Sequence, residues 1–376
     1  MLIRVIVSVF FKEIYIIGEE NIPKEGPLII SGTHNNQFMD AAMLLVAIKR
    51  EINFVIAASS AKLKTLGIFL RFLNIIPTER PIDKKYRGKG YIENFEDDIL
   101  IGKDTSFTTQ LNRGFAIKLE NSDVELSVEE VISDTKLRLA SKFEEKLEGK
   151  RNYEILPKIN QEVVFKNVFE TLNKDRCVGI FPEGGSHDRT QLLPLKAGAC
   201  VFVWGSYNLY NRKVQMVECG INYFGAHKFR SKVVINIGKP RSYDFDREKM
   251  NDREYKKETI DSMLHDLKES MEQVKITAPS YNELVNLYCA KEIYIPENIQ
   301  LNADKDFKLF HKFSTAYKKI KDFPEVQELV KEVDLFRKKT KKLGLKVSEI
   351  RNFKIIFGDD TLIHIKKLLL LLVLVS

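Results

Sequence analysis

The stretch that decides the fold is "PLIISGTHNNQFMDAAMLLVAIKR", residues 27–50. It begins with "PLIISGT", a short apolar run that ends with Gly and Thr. Such a run is typical of a buried strand. After a polar interval, "AAMLLVAIKR" has the apolar spacing of a helix and a basic last turn. The pattern predicts a strand, a polar loop and a helix, with the polar residues at the end of the strand.

Further apolar runs predict more strands of the same kind. They are "NFVIAAS" at 53–59, "CVGIFPEG" at 177–184, "VQMVECGINYF" at 214–224 and "SKVVINIGKP" at 231–240. Strands that alternate with helices favour an α/β fold, here a central mixed sheet flanked by helices. Such folds bind ligands at the ends of their strands, where the polar motifs of this chain fall.

Shifts in composition divide the chain into regions. Residues 27–245 form the predicted main domain, and the mixed charge of 84–165, including "TKLRLASKFEEKLEGK", predicts a helical insertion or subdomain in it. Residues 246–365 form a helical C-terminal region, since amphipathic, lysine-rich segments recur there. Residues 1–26 and 366–376 are apolar end segments.

Both end segments are predicted to contact a membrane. In "MLIRVIVSVFFKEIYII", Arg4, Lys12 and Glu13 interrupt the apolar run short of the ~20 residues that a spanning helix needs, so residues 1–26 are expected in the membrane interface. In "KKLLLLLVLVS", only Leu368 to Val375 are continuously apolar. This tail is either a truncated transmembrane helix or a shallow anchor.

The overall composition limits the possible partners. The chain has 376 residues, is 44% apolar and carries a formal net charge of +8, which favours an anionic partner. Charge alone does not choose among nucleic acid, an anionic membrane surface and a phosphorylated substrate. The cysteines are widely spaced within apolar segments, so they are expected to be reduced, and no metal site is implied. They are Cys177, Cys200, Cys219 and Cys289.

His34 and Asp40 lie in the polar interval after the first strand. Six helical positions rotate by about 600°, or about 240° net, so the two side chains would not share a helix face. His34 is therefore expected in the loop and Asp40 near the first turn of the helix. The carboxylate could then fix the imidazole tautomer so that Nε2 accepts a proton from an alcohol. The alternative is that Asp40 caps the helix and His34 is an ordinary loop residue.

The segment "FPEGGSHDRT", residues 181–190, follows another apolar strand. Gly184 and Gly185 permit a tight turn and close approach of a ligand, Glu183 could hold a hydroxyl, and Arg189 could hold a phosphate. The alternative is a simple turn at the exit of the strand.

Two basic segments could bind anions. Arg80, in "NIIPTERPIDKKYRGKG" at 74–90, has a guanidinium group suited to bidentate phosphate binding, although charged runs are more often solvated loops. "NYFGAHKFRSK", residues 222–232, mixes aromatic and basic residues, including His227 and Lys228. No known nucleic-acid motif accompanies it, so nucleic-acid binding is not expected.

Together these motifs resemble the glycerolipid acyltransferase superfamily, and most closely its fungal-type glycerol-3-phosphate/dihydroxyacetone-phosphate acyltransferase branch. The first motif of that branch is "HxNQFxD", which His34 to Asp40 match. The second contains Arg80 in "IPTERPID", and the third is "FPEGGSHDRT" followed by "LLPLKAG". The fourth departs from the family pattern, because Glu218 of "VECGINYF" stands where a proline is usual.

The resemblance implies roles for these residues. His34 would be the general base, Asp40 would orient it, and Arg80, Glu183, Gly184, Gly185 and Arg189 would bind glycerol phosphate. Acyl-CoA would be the co-substrate, without a metal or other cofactor. Backbone amides near the two glycines are expected to contribute to oxyanion stabilisation.

The resemblance also implies an enzyme of phospholipid synthesis on the endoplasmic reticulum membrane, with its site facing the cytosol. It would acylate glycerol-3-phosphate, with dihydroxyacetone phosphate as a possible further acceptor. Two alternatives stay open at this point. One is the same chemistry on a lysophospholipid, and the other is a non-catalytic protein that binds lipid or membranes.

Overall fold

The structure, a computed structural model, describes residues 2–61, 74–120, 122, 124–142, 149–224, 229–296, 299–345 and 347. The strands are β1 (Phe11–Ile17), β2 (Leu28–Gly32), β3 (Ile52–Ala57), β4 (Asn74–Thr78), β5 (Tyr86–Arg87), β6 (Tyr91–Glu96), β7 (Ile99–Lys103), β8 (Ala116–Leu119), β9 (Glu125–Ser133), β10 (Lys136–Leu139), β11 (Tyr153–Leu156), β12 (Cys177–Ile180), β13 (Gln215–Phe224), β14 (Ser231–Ile237) and β15 (Arg241–Ser242).

The α-helices are α1 (Leu2–Phe10), α2 (Gln37–Ala47), α3 (Ala58–Ala61), α4 (Phe107–Gln110), α5 (Glu162–Asn173), α6 (Gly198–Tyr210), α7 (Arg253–Val274), α8 (Tyr281–Tyr294), α9 (Ala303–Ile320) and α10 (Pro324–Lys342). Short 3-10 helices cover Glu19–Asn21, Pro81–Lys84 and Arg247–Lys249. The chain divides into two compact units. The first comprises Met1–Phe54 and Val168–Ser376, and the second comprises Val55–Asn167.

The first unit is built on a mixed sheet in the strand order β1-β14-β13-β2-β12-β3. Strand β2 pairs in parallel with both β12 and β13, whereas β13 and β14 are antiparallel. All five residues of β2 are buried, as its continuous apolar run predicts. Helices α6 and α7 pack against β2 and β13. The predicted α/β architecture with a central mixed sheet is confirmed.

The parallel strands bring the motifs of the first unit together. Because β2, β12 and β13 run side by side in the same direction, their carboxyl ends lie at one edge of the sheet. The loop after β2 carries His34, the turn after β12 carries Glu183, and Tyr223 is the second-last residue of strand β13. The topology therefore places these side chains in one neighbourhood.

The helical C-terminal region is also confirmed over the residues that the structure describes. Helices α8, α9 and α10 share a core in which Phe307, Phe310, Phe313 and Phe336 are buried. The lysines of these helices lie mainly on exposed faces, as expected for amphipathic helices on a core. Residues 366–376, the predicted hydrophobic tail, lie outside the described residues, as do His227 and Lys228.

The second unit corrects the prediction of a helical insertion. Its described residues form an antiparallel sheet in the order β5-β11-β8-β9-β10-β7-β6. Strand β10 alternates exposed Lys136 and Arg138 with buried Leu137 and Leu139, which is the period of a strand and not of a helix. The many charged side chains of this segment lie on the exposed face of the sheet. The overall composition of the segment does not show that they alternate with buried apolar residues.

The N-terminal boundary also differs from the one predicted. Residues 1–26 were expected to form a separate segment, but β1 is the edge strand of the main sheet and pairs in parallel with β14. Phe11 is only 8% exposed, and Ile17 packs against the core that α8, α9 and α10 share. The sheet therefore includes residues 11–17.

Candidate active site

His34 lies in the loop between β2 and α2, as its distance from Asp40 in the sequence predicts. Its Nδ1 lies 3.0 Å from Oδ2 of Asp40, within hydrogen-bond reach. The ring stacks on Phe181 with centroids 4.2 Å apart, and the side chain is 16% exposed. Because a carboxylate only accepts, Nδ1 carries the proton, and Nε2 is the nitrogen that can accept one from a bound hydroxyl.

Asp40 is the fourth residue of α2 and is fully buried. Besides His34, its Oδ2 accepts the backbone N–H of Asn36, the N-cap residue, at 2.6 Å. Its Oδ1 accepts the hydroxyl of Tyr223 at 2.6 Å. A carboxylate that bonds the N-cap N–H stabilises the start of a helix. The two interpretations that the sequence left open, a dyad and a helix cap, thus describe the same carboxylate.

Tyr223 is a member of the site that the sequence motifs do not reveal. Burial raises the pKa of its hydroxyl well above the usual 10.0, and the neighbouring carboxylate of Asp40 raises it further. The hydroxyl therefore stays protonated and donates to Asp40 at any ordinary pH. It lies 183 residues from Asp40 in the sequence, and only the pairing of β13 with β2 brings the two together.

Glu183 is the acidic residue of the turn after β12, and it is 4% exposed. Its Oε1 accepts the backbone N–H of His34 at 2.8 Å. Its Oε2 bonds Nε2 of His187 and accepts the N–H of Leu193 at 3.0 Å. These bonds hold the His34 loop to the turn. The substrate contact that the resemblance implies for Glu183 stays a prediction.

The turn itself carries Gly184, Gly185 and Arg189. Gly184 has a φ of +72°, and a Cβ there would lie 2.9 Å from Cε of Lys196, whereas a Cβ on Gly185 would meet open space. The N–H of Arg189 donates to Nδ1 of His187 at 3.1 Å, so His187 is neutral and its Nε2–H donates to Glu183. The N–H of His187 donates to the His34 carbonyl at 3.1 Å. The turn and the His34 loop are thus joined by main-chain bonds.

Arg80 belongs to the second unit and follows β4. Its Nε and one terminal nitrogen donate to the two carboxylate oxygens of Asp83 at 2.9 and 2.8 Å. The hydrogen bond from Arg80 lowers the pKa of Asp83 below its usual value. The phosphate contact expected of Arg80 stays a prediction.

Lys275 is a further cation that the sequence motifs do not mark. It follows the last residue of α7 and is 8% exposed, and its Nζ donates to the Ile221 carbonyl at 2.8 Å and to Oδ1 of Asn35. Desolvation lowers its pKa to about 8, although the negative charges of Asp40 and Glu183 raise it. A lysine between Val274 and Ile276 is the only local signal of a buried amine.

The residues that the structure describes bear on metal ligation and on thiol chemistry. Among them, no cluster of three or more His, Cys, Asp or Glu side chains could hold a metal ion. Burial raises the pKa of the Cys177 thiol to about 11 and that of Cys200 to about 12. These thiols are protonated near neutral pH, which makes them poor nucleophiles.

The length and apolar character of the helices bear on how the chain could contact a membrane. In the part of the chain that the structure describes, no helix has both the length and the apolar character required to cross a bilayer.

Two family models match this chain. One, described as Acyltransferase, covers residues 13–106, and the other, described as Glycerol-3-phosphate acyltransferase 2 C-terminal domain, covers residues 287–376. The first includes His34, Asp40 and Arg80, three of the residues singled out from the motifs.

Similar proteins are known from yeasts. An uncharacterised acyltransferase of Schizosaccharomyces pombe is 30% identical over 94% of this chain and 54% of its own length. Glycerol-3-phosphate O-acyltransferase 1 of Saccharomyces cerevisiae is 30% identical over 93% of this chain and 48% of its own length. The chain therefore spans about half the length of these relatives.

Among solved structures, the 1-acyl-sn-glycerophosphate acyltransferase of Thermotoga maritima is 14% identical, with a TM-score of 0.34 over 70% of this chain and 76% of that one. The chain is thus similar to acyltransferases at both family models, and its likeness to the yeast proteins, one of them named glycerol-3-phosphate O-acyltransferase 1, runs through more than nine tenths of its length.

Proposed function

We propose that this protein transfers a fatty acyl group from acyl-CoA to a hydroxyl of glycerol-3-phosphate and so forms lysophosphatidic acid. The observation that carries the proposal is the bond between Nδ1 of His34 and Oδ2 of Asp40, which leaves Nε2 as the proton acceptor. The relatives named glycerol-3-phosphate O-acyltransferase support the choice of acceptor. Dihydroxyacetone phosphate is the expected second acceptor.

The proposed reaction has one substitution at the thioester. Nε2 of His34 removes the proton of the glycerol-phosphate hydroxyl as its oxygen attacks the thioester carbonyl. A C–O bond forms, the C–S bond breaks, and the leaving CoA sulfur takes the proton back from the imidazolium. The carboxylate of Asp40 stabilises that imidazolium while it exists. The step needs no covalent acyl-enzyme, metal or other cofactor.

The substrate contacts are proposals as well. Arg80 and Arg189 are the proposed partners of the phosphate, because a guanidinium group can bond two phosphate oxygens at once. Gly184 and Gly185 allow a ligand to approach the main chain of the turn, and their amides are the proposed donors to the oxyanion. Glu183 is the proposed partner of a glycerol hydroxyl.

Acceptor assays with the purified protein test the proposal. The protein is incubated with radiolabelled acyl-CoA and with glycerol-3-phosphate, dihydroxyacetone phosphate or lysophosphatidic acid, and the lipid products are separated. We expect acylation of glycerol-3-phosphate, and its loss by about 10³-fold or more in His34→Ala. His265→Ala is the matched control, since that histidine is an exposed residue of α7.

Each contrary outcome points to a definite alternative. Acylation of lysophosphatidic acid alone would assign the chain to lysophospholipid acylation. No turnover with any acceptor, together with binding of lipid, would indicate a non-catalytic lipid-binding protein. Full activity in His34→Ala would exclude His34 as the base.

We further propose that the first unit contacts a membrane surface through an apolar patch, defined as Val5, Val9, Phe10 and Phe229. These side chains are 53%, 48%, 48% and 68% exposed. The rings of Phe10 and Phe229 lie edge to face with centroids 6.3 Å apart, and the N–H of Arg230 donates to the Phe10 carbonyl at 2.8 Å.

Charge decides which partner fits the patch. Exposed Arg4, Lys12 and Arg230 adjoin it in the sequence, which matches an anionic lipid surface. Val7, on the other side of α1, is fully buried, so the helix presents one face to the protein and one outward. The proposed membrane is that of the endoplasmic reticulum, with the site on the cytosolic side.

Vesicle co-sedimentation tests the patch. The wild-type protein is expected to bind phosphatidylcholine vesicles that contain phosphatidylserine more tightly than vesicles without it. A variant with both Phe10→Glu and Phe229→Glu should bind at least about 30-fold more weakly, since burial of each half-exposed ring contributes about 1 kcal/mol or more and about 1.4 kcal/mol corresponds to tenfold. Leu335→Glu, at another exposed apolar side chain, is the control. Unchanged binding, or a loss of self-association in its place, would refute the membrane assignment.

A further inference from the structure

The side chain of Lys275 links strand β13 to the loop that carries His34. Its Nζ donates to the Ile221 carbonyl of β13 at 2.8 Å and to Oδ1 of Asn35, the residue after His34. The main chain of Lys275 is also held, because its N–H donates to the Met271 carbonyl at the end of α7. The ammonium group is thus fixed between a helix end, a strand and the His34 loop.

Asn35 extends this link to the turn after β12. Its Nδ2 donates to the carbonyls of His187 and Arg189 at 3.2 and 3.4 Å. An ammonium group can only donate, so it orients the amide of Asn35 with its oxygen toward Lys275 and its nitrogen toward the turn. The two carbonyls only accept, so they favour the same orientation, and the ammonium group adds the bond that holds the amide oxygen.

The charges around Lys275 give the ammonium group a second effect. Asp40 and Glu183 are both buried carboxylates, 0% and 4% exposed. Their charges raise the pKa of Lys275, while desolvation, the larger effect, lowers it to about 8. The cation therefore offsets two buried negative charges beside the base. The titratable side chains bonded to those carboxylates are His34, Tyr223 and His187.

We infer that Lys275 is a positioning residue of the acyl-transfer site, whose ammonium group orients Asn35 and so keeps the His34 loop in register with the turn at residues 181–190. The inference rests on the proposed function, since the effect is read through acyl transfer. A nonpolar residue at 275 would leave the Asn35 oxygen and the Ile221 carbonyl without their donor. The bonds of the His34 main chain to Glu183 and His187 would remain, but the loop that carries the base would lose its link to β13 and the end of α7.

The test compares pH profiles of acyl transfer for the wild type, Lys275→Met and Lys275→Arg. Above pH of about 8 Lys275 loses its charge but keeps two N–H donors, so the wild-type rate is expected to fall there through loss of the positive charge beside Asp40 and Glu183. In Lys275→Met, kcat should fall about 100-fold, since a misplacement of about 1 Å has that effect, while the KM for acyl-CoA changes little. Lys275→Arg, which stays charged, should recover part of the rate and move the alkaline fall to higher pH.

The control is Lys268→Met, an exposed lysine of the same helix, which should leave the profile unchanged. Circular dichroism shows whether each variant folds. If Lys275→Met does not fold, the profile of Lys275→Arg decides the question, and an unmoved alkaline limb overturns the inference.

The two proposals fail in different ways. No acyl transfer by the wild-type protein would remove the proposed function. An active wild type whose Lys275→Met variant keeps both its kcat and its alkaline limb would remove the role of Lys275 alone.

Discussion

Replacing Asp40 with asparagine separates the charge of the site from its geometry. The backbone N–H of Asn36 lies 2.6 Å from Oδ2 of Asp40, and that N–H can only donate. The new side chain must therefore put its amide oxygen at this position, where it also accepts from Nδ1 of His34. Its amide nitrogen then faces the hydroxyl of Tyr223, which can rotate to accept. We expect Asp40→Asn to keep the tautomer of His34 and to lose only the negative charge.

The size of the effect follows from that lost charge. A carboxylate about 4 Å from the centre of an imidazolium contributes about 4 kcal/mol at an effective dielectric constant of about 20. Each tenfold change in rate corresponds to about 1.4 kcal/mol, so kcat should fall by about 10³-fold. Asp40→Ala also leaves the N–H of Asn36 and the Tyr223 hydroxyl without an acceptor, and it should lose about 1–2 kcal/mol of folding stability in addition.

Two measurements decide the outcome. Steady-state acyl transfer to glycerol-3-phosphate gives kcat, and the ¹⁵N chemical shifts of the His34 ring show which nitrogen carries the proton. Tyr223→Phe is the matched control, because it removes a bond to Oδ1 and leaves Oδ2 with its two donors. A proton on Nε2 in Asp40→Asn, or a kcat within about threefold of the wild type, would refute this reasoning.

The remaining predictions concern stability. Gly220→Ala should lose more than about 2 kcal/mol in denaturant unfolding, since a Cβ there would lie 1.9 Å from the Val274 carbonyl oxygen. Burial raises the pKa of Glu218, so the unfolded chain ionises first and this group lowers the unfolding free energy as pH rises above 4.5. Glu218→Gln should therefore show a smaller decline over that range, measured by urea titration at several pH values. Lys291→Met should lose about 3 kcal/mol, near the lower end for a buried ion pair, because Asp306 is itself 17% exposed; thermal unfolding measures it.

The order of strands and helices in the first unit could be predicted from local patterns. Continuous apolar runs marked β2 and β12, and the change to helical spacing after residue 40 marked α2. The insertion was predicted incorrectly because its charges were read as composition. In β9 the buried residues, Leu126 and Val128, alternate with exposed ones, and that period indicates a strand.

The candidate site was only partly predictable, because some of its residues belong to no motif. The motifs named His34, Asp40 and Glu183, and the structure of the first unit joins them through hydrogen bonds. Tyr223 and Lys275 were missed, since each stands alone in its own segment. They reach the site across 183 and 240 residues of chain, to Asp40 and Asn35 respectively.

The sequence by itself predicted the resemblance to acyltransferases, the α/β architecture and the pairing of His34 with Asp40, because these depend on short motifs and on periodicities that neighbouring residues carry. Only the tertiary structure decided that Asp40 is both a helix cap and the partner of His34, and that Lys275 stands beside it. The physical reason is that a buried charge is satisfied by partners from any part of the chain. Parallel pairing of β2 with β12 and β13 chooses those partners, and no local pattern records it.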